Sequence, residues 1–246
     1  MSQDKIPRII HYCWFGRGEK PKLMVNCIKS WSRHLPDYEL MEWNEDNFDI
    51  SCSRYVSEAY AARKFAFVSD YVRLHALYHH GGIYMDTDVE VLRSLNPLLQ
   101  HEAFTGFEDE QFLQSGTMGA MPQHPWIAML LKDYEGRAFK RLDGTYDTTT
   151  NTAVISRLCE SEGLVLNGQQ QMLSSGVMFY PRQYFSPYDY INGGNYITSE
   201  SYTIHHFAQS WLPLHVRMKS NVKRAASRVV GPKVIATMRK LLAPHS

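Results

Sequence analysis

The sequence predicts an α/β domain built on a parallel sheet, and three neighbouring stretches carry that expectation. Residues 8–14 (RIIHYCW) form an aliphatic and aromatic run that reads as a buried strand. Pro21 opens a helical stretch over 22–33, with Leu23, Cys27, Ile28 and Trp31 at helical spacing. Pro36-Asp37 then turns the chain into an alternating strand over 38–43. Strand, helix and strand at this spacing make a βαβ unit, and such units make parallel sheets.

Bulk properties agree with a globular domain. The 246 residues are enough for one large core, and 44% hydrophobic with 21% charged residues exclude a disordered chain. The charge is unevenly placed. All 25 acidic residues lie at or before Glu200, while eight of the 26 basic ones fall between Arg217 and Lys240. An acidic body with a basic end argues against a whole-surface nucleic-acid binder and for a local contact with something anionic. Residues 1–215 are therefore expected to form one domain and residues 216–246 a basic amphipathic helical tail. That tail has Met218, Val222, Ala225, Val229, Ile235 and Leu242 on its apolar side, and residues 216–242 suit peripheral contact with an anionic membrane. Cys13, Cys27, Cys52 and Cys159 are scattered without a CxxC pair, which excludes a zinc knuckle and fits free thiols. With no signal peptide pattern at the start and no apolar run of bilayer length, the expected setting is the cytoplasm, peripherally on the inner membrane face.

The clearest helix spans 65–79, with Phe65, Val68, Val72 and Ala76 at three- and four-residue steps. His79-His80-Gly81-Gly82 ends it, and a short strand over 83–85 runs into Asp86-Thr87-Asp88. Residues 89–92, 103–107, 178–180 and 203–207 read as further strands, residues 125–140 as a helix, and 147–151 as a threonine-rich loop before another helix.

The chemistry concentrates in Tyr84-Met85-Asp86-Thr87-Asp88. Two carboxylates one residue apart at a strand end repel each other, and burying them unpaired costs several kcal/mol. A divalent cation resolves the conflict, and hard oxygen ligands favour Mn²⁺ or Mg²⁺ over zinc. The carboxyl ends of strands are the ligand-binding edge of an open α/β sheet. Asp70 and Arg73 lie one helical turn apart on the preceding helix and share a face. They read either as a surface ion pair or as a pair that holds a donor substrate. Gly81-Gly82 reads as a helix cap, as a close approach to ligand, or as both.

The run from Phe67 to Asp88, FVSDYVRLHALYHHGGIYMDTD, resembles the DxD-motif sugar-binding glycosyltransferases of the family 32 type. Their members include fungal initiating α-mannosyltransferases, α-1,4-galactosyltransferases and bacterial capsule or O-antigen enzymes. Residues 6–16 (IPRIIHYCWFG) resemble the family's first strand, and 203–211 (TIHHFAQSW) its late histidine strand and Ser-Trp lid. The resemblance implies a GT-A fold, a Rossmann-like mixed sheet with flanking helices, and retaining transfer of a hexose from a nucleotide sugar, with a lean to a UDP-sugar. The acceptor would be a glycan or a lipid-linked oligosaccharide in surface polysaccharide synthesis. It further implies that Asp86 and Asp88 serve catalysis and hold the metal, with His205, or His206 in the alternative register, as a further ligand. His11 and Trp14 would flank base and ribose. Asp70, Arg73, Gly82 and Tyr84 would hold the donor, Ser210 and Trp211 would close over it, and Asn151 would face the sugar or the acceptor. Each also has a plainer reading as core or cap.

Two rivals share some of these residues. Asp86-Thr87-Asp88-Val89 matches the nucleophile motif of haloacid-dehalogenase-like phosphatases. That motif belongs near the start of its domain and needs a later lysine and acidic pair, which this chain does not place convincingly. A non-catalytic sugar-nucleotide-binding module on the same fold is the second.

Overall fold

The computed structural model describes residues 4–189 and 194–208. Ser210, Trp211 and the expected tail 216–246 lie outside the described residues. The βαβ start is present: β1 (Ile9–Cys13), α1 (Lys22–His34) and β2 (Glu39–Trp43), with the two strands parallel and Ile9 opposite Glu39. After α2 (Arg54–Ala61) and α3 (Phe65–His80), β3 (Gly82–Met85) lies parallel on the other side of β1. The chain continues through β4 (Val89–Val91), β5 (Ala103–Gly106), β6 (Thr117–Ala120), α4 (Pro125–Lys132), α5 (Asn151–Ser161), β7 (Gln171–Met172), β8 (Val177–Tyr180) and β9 (Thr203–His205).

The main sheet has seven strands in the order β2-β1-β3-β6-β5-β8-β7. β6 is antiparallel to both β3 and β5, and β7 to β8, while β5 and β8 are parallel, so the sheet is mixed, as expected. β4 and β9 pair separately as a two-stranded antiparallel sheet.

Strand alternation sorts the core onto two faces. On β3, Ile83 and Met85 join Ile10, Trp31 and Phe104 beneath α1. Tyr84 points the other way, toward Val68, Val72, Ala76 and Leu77 of α3. α3 ends where Gly81 takes φ 64 and Gly82 φ 100, conformations an L side chain rarely adopts. A Cβ on Gly82 would also sit 2.7 Å from the Ile9 carbonyl oxygen. Gly82 therefore lets β3 pack closely against β1, a packing role beside the donor-binding one expected for it.

Other expectations also need correcting. The helix expected over 125–140 stops at Lys132, and residues beyond it turn into a hairpin in which Lys140 pairs with Tyr146. Asn151 is not in a loop. It is the first residue of α5, whose N-cap Thr150 accepts from the Ala153 N–H. Among the described residues no helix is long and apolar enough to cross a membrane. All four cysteines are free, three of them buried.

Candidate functional site

Asp86 and Asp88 sit in the turn between β3 and β4, which is held by Asp86 N–H to the Gly116 carbonyl (2.9 Å) and Val89 N–H to the Asp86 carbonyl (2.9 Å). β4 then pairs with β9, with Val89 opposite His205. That pairing brings His205 Nε2 to 3.3 Å from Asp88 Oδ1 and 4.0 Å from Asp86 Oδ2. The neighbouring His206 lies on the opposite face by strand alternation, and its Nε2 meets Glu90 at 2.9 Å. The doublet is thus resolved: His205 joins the two carboxylates and His206 does not.

Electrostatics bind this cluster together. Burial alone would discharge His205, but the Asp88 carboxylate, helped by Asp86 and Glu108, raises its imidazole to about 9. Burial opposes the charge on Asp88, yet His205 and the Ala208 N–H bring its carboxyl down to about 2. Glu108, just beyond β5, is close enough for His205 to act on it, and burial pushes its carboxyl up. Sequence reasoning missed Glu108, whose one signal was its place after a predicted strand.

Arg73 and Tyr84 lie under the cluster. The Arg73 side chain is 5% exposed. Its Nη2 contacts Asp70 Oδ1 at 2.9 Å and Asp86 Oδ1 at 3.3 Å. Its Nη1 donates to the carbonyl and hydroxyl of Ser115 (2.6 and 3.0 Å), and its Nε to the Ser69 carbonyl (3.3 Å). Burial works against its charge, and Asp86, Tyr84 and Asp70 override that and raise its pKa. Asp70 answers in kind: burial pushes its carboxyl up to about 6, against the pull of Arg73. The Tyr84 hydroxyl donates to Asp86 Oδ1 at 2.8 Å. Asn151 is 6% exposed, and neither its amide oxygen nor its nitrogen has a hydrogen-bond partner of good geometry, although it lies close enough to Asp70 to favour the carboxylate. The buried amide thus lies at the Asp70 end of the cluster.

His11 is placed differently from expectation. It is fully buried, accepts from Trp43 Nε1 at 3.1 Å and meets the Gly81 carbonyl at 2.7 Å. Both ring nitrogens are used inside the protein, so none is left for a base or ribose, and burial lowers its pKa to about 4. Trp14, by contrast, is part-exposed just past β1 at the same sheet edge as Asp86. Its indole N–H donates to the Gly18 carbonyl (2.6 Å), and the Lys20 ammonium sits 5.4 Å from the ring centre.

The donor set suits a divalent cation. Ligand atoms of Asp86, Asp88 and His205 lie within 4.8 Å of one another. The space around them depends on Gly116, where a Cβ would come 2.9 Å from His205 Nδ1 and 3.2 Å from Asp86 Oδ2. Two hard oxygens and one imidazole nitrogen fit Mn²⁺ or Mg²⁺. A separate groove of about 710 Å³, lined by Tyr71, His75, His79, Lys132 and Tyr134, contains none of these three residues.

Residues 21–105 match the family model described as the glycosyltransferase sugar-binding region containing DXD motif. Among curated proteins, inositol phosphoceramide mannosyltransferase 3 of Schizosaccharomyces pombe is 30% identical over 142 residues, covering 54% of this chain and 38% of that protein. Mannosyl phosphorylinositol ceramide synthase CSH1 of Saccharomyces cerevisiae is 27% identical over 131 residues, covering 52% and 35%. The chain thus spans less than half the length of these relatives. Among solved structures, the galactosyltransferase LgtC with donor and acceptor sugar analogues is 13% identical, covers 89% of this chain and 95% of its own, and has a TM-score of 0.44. The PaToxG glycosyltransferase is 14% identical over 64% of this chain and 69% of its own, with a TM-score of 0.48.

Proposed function

We propose that this chain transfers a hexose from a nucleotide sugar to a glycan or lipid-linked acceptor, since residues 21–105 match the model of a DXD-motif glycosyltransferase sugar-binding region. The observation that carries the proposal is the convergence of Asp86, Asp88 and His205 at the carboxyl end of β3. Asp88, Asp86 and His205 would hold Mn²⁺ or Mg²⁺. Bound there, the cation would supply positive charge to the donor diphosphate as it leaves.

The chain's own residues do the rest. Asp70, with a carboxyl near neutrality in pKa, and Asn151, with an unpaired amide, accept and donate to sugar hydroxyls. Trp14 offers a part-exposed ring to the nucleoside at the neighbouring strand end. Ser210 and Trp211, which lie outside the described residues, are assigned to the diphosphate by resemblance alone. The bond from the anomeric carbon to the phosphate oxygen breaks, a bond to the acceptor hydroxyl oxygen forms on the same face, and the departing phosphate oxygen takes the hydroxyl proton. In this course the site carboxylates serve as ligands and anchors and not as nucleophiles: Asp70 is paired with Arg73, and Asp86 with Tyr84 and Arg73. Rate then comes from positioning and fixed charge.

The donor is proposed as a UDP-sugar, with GDP-mannose as the second reading because the curated relatives are named for mannosyl transfer. Surface polysaccharide synthesis at the cytoplasmic face of the inner membrane is the proposed setting, with residues 216–242 contacting anionic lipid. The test is a donor panel with Mn²⁺, following nucleotide release. EDTA-sensitive release from one donor, lost in Asp88→Ala, supports the proposal and names the sugar. Release of phosphate from generic phosphoesters, with every nucleotide sugar left intact, overturns it in favour of a phosphatase.

A further inference from the structure

We infer that Tyr84 and Arg73 are positioning residues which fix the single oxygen that Asp86 offers to a cation. The inference rests on Asp86, Asp88 and His205 being the cation site. The Tyr84 hydroxyl (2.8 Å) and Arg73 Nη2 (3.3 Å) converge on one atom, Asp86 Oδ1. The other oxygen, Oδ2, is the one turned toward His205. Arg73 has five N–H groups. Three of them donate to the Ser69 carbonyl and to the carbonyl and hydroxyl of Ser115, and Nη2 forms ion pairs with Asp70 and Asp86. Its guanidinium lies 4.6 Å from the centre of the Tyr84 ring, which is itself 1% exposed. The guanidinium is thereby held in place beneath Asp86.

Asp88 repeats the pattern with a different anchor. Its Oδ2 accepts from the Ala208 N–H at 2.7 Å, and its Oδ1 faces His205 Nε2 at 3.3 Å. Each carboxylate is therefore tied to the scaffold at one oxygen and turns the other toward the same imidazole nitrogen. Two carboxylates held this way bind with one oxygen each. That suits a small octahedral cation such as Mg²⁺ or Mn²⁺, and it disfavours Ca²⁺, which takes more oxygens and often both from one carboxylate. Arg73 and Tyr84 thus set cation choice from beneath the site.

The test uses the cations alone on the full chain. Mn²⁺ binding is followed by electron paramagnetic resonance of the free ion, and Ca²⁺ by competition. Tyr84→Phe keeps the ring under Arg73 and removes the hydroxyl. We expect it to weaken Mn²⁺ binding about tenfold, as loss of an outer-shell partner does, while Ca²⁺ affinity changes less than about threefold, so that discrimination narrows. UDP or GDP affinity at saturating Mn²⁺ should be unchanged. Arg73→Lys should move in the same direction; if it does not fold, Tyr84→Phe alone decides. Unchanged Mn²⁺ affinity with weakened nucleotide binding would mean direct donor contact and overturn the inference. Equal losses for both cations with a lowered melting temperature would reduce Tyr84 to a packing role and overturn it too. A wild-type chain that binds no Mn²⁺ would overturn the cation-site reading itself, a result distinct from the other two.

Discussion

Gly116 offers a perturbation whose size can be worked out in advance. It has no left-handed φ, so alanine is acceptable to the backbone. The added methyl would lie 2.9 Å from His205 Nδ1, 3.0 Å from its Cε1 and 3.2 Å from Asp86 Oδ2. Ordinary contact needs about 3.4 Å or more, so the ring must retreat by about half an ångström. His205 Nε2 now stands 3.3 Å from Asp88 Oδ1, and a shift of that size spoils the meeting of the three ligand atoms. Overpacking costs about 1 kcal/mol of stability. The larger effect falls on the cation: about a tenfold loss of Mn²⁺ affinity, or ~1.4 kcal/mol. Calorimetric titration of Mn²⁺ into wild type and Gly116→Ala measures it, with Gly18→Ala as control because nothing lies within 4 Å of a methyl there. Wild-type affinity in Gly116→Ala, or equal losses in both variants, would refute the reasoning.

Three further outcomes follow from the same geometry. His11 has its pKa lowered to about 4 in the fold against 6.5 outside it, so the folded chain binds fewer protons between those values and its contribution to stability grows as pH rises. That contribution, about 3 kcal/mol, is complete above pH 6.5 and is lost as pH falls toward 4; urea midpoints across this window should fall less steeply in His11→Asn, and parallel curves would contradict the assignment. Asn151→Ala removes a buried amide without hydrogen-bond partners, so thermal stability should change by less than about 1 kcal/mol. Transfer should fall at least about tenfold, and a variant equal to wild type in a donor-release assay would remove Asn151 from the site. Leu74→Ala, in a fully buried position on α3, should cost about 2–5 kcal/mol in chemical denaturation, and a loss under about 1 kcal/mol would show that the α3 face is not the core described.

The legible parts of the sequence were those with a period or a motif. α1, α3 and the strands flanking them announced themselves through apolar spacing, and Asp86-Thr87-Asp88 through its charge conflict at a strand end. β6 escaped because Thr117-Met118-Gly119-Ala120 has neither β-branched enrichment nor alternation, although all four residues are buried. α2 escaped because it is only eight residues long, too short for a periodic pattern to stand out, and its Ser53 cap was its main signal. The His205–His206 choice needed the register with β4, which no local pattern specifies. Arg73 was found, but its enclosure was not, because a lone arginine on a helix reads the same whether its partners are solvent or Ser115 and Asp86. His11 shows the reverse: a histidine on a buried strand, beside a tryptophan that binds it, was given a ligand where it had a neighbour.

The small β4–β9 sheet makes the cluster depend on a segment that the main sheet does not contain. Among the described residues β9 pairs with β4 alone, outside the seven-stranded sheet. The strands of that sheet end at Tyr180. A fragment cut after Tyr180 would keep both acidic side chains and lack the imidazole that completes the cluster. However well such a fragment folds, it should be inert.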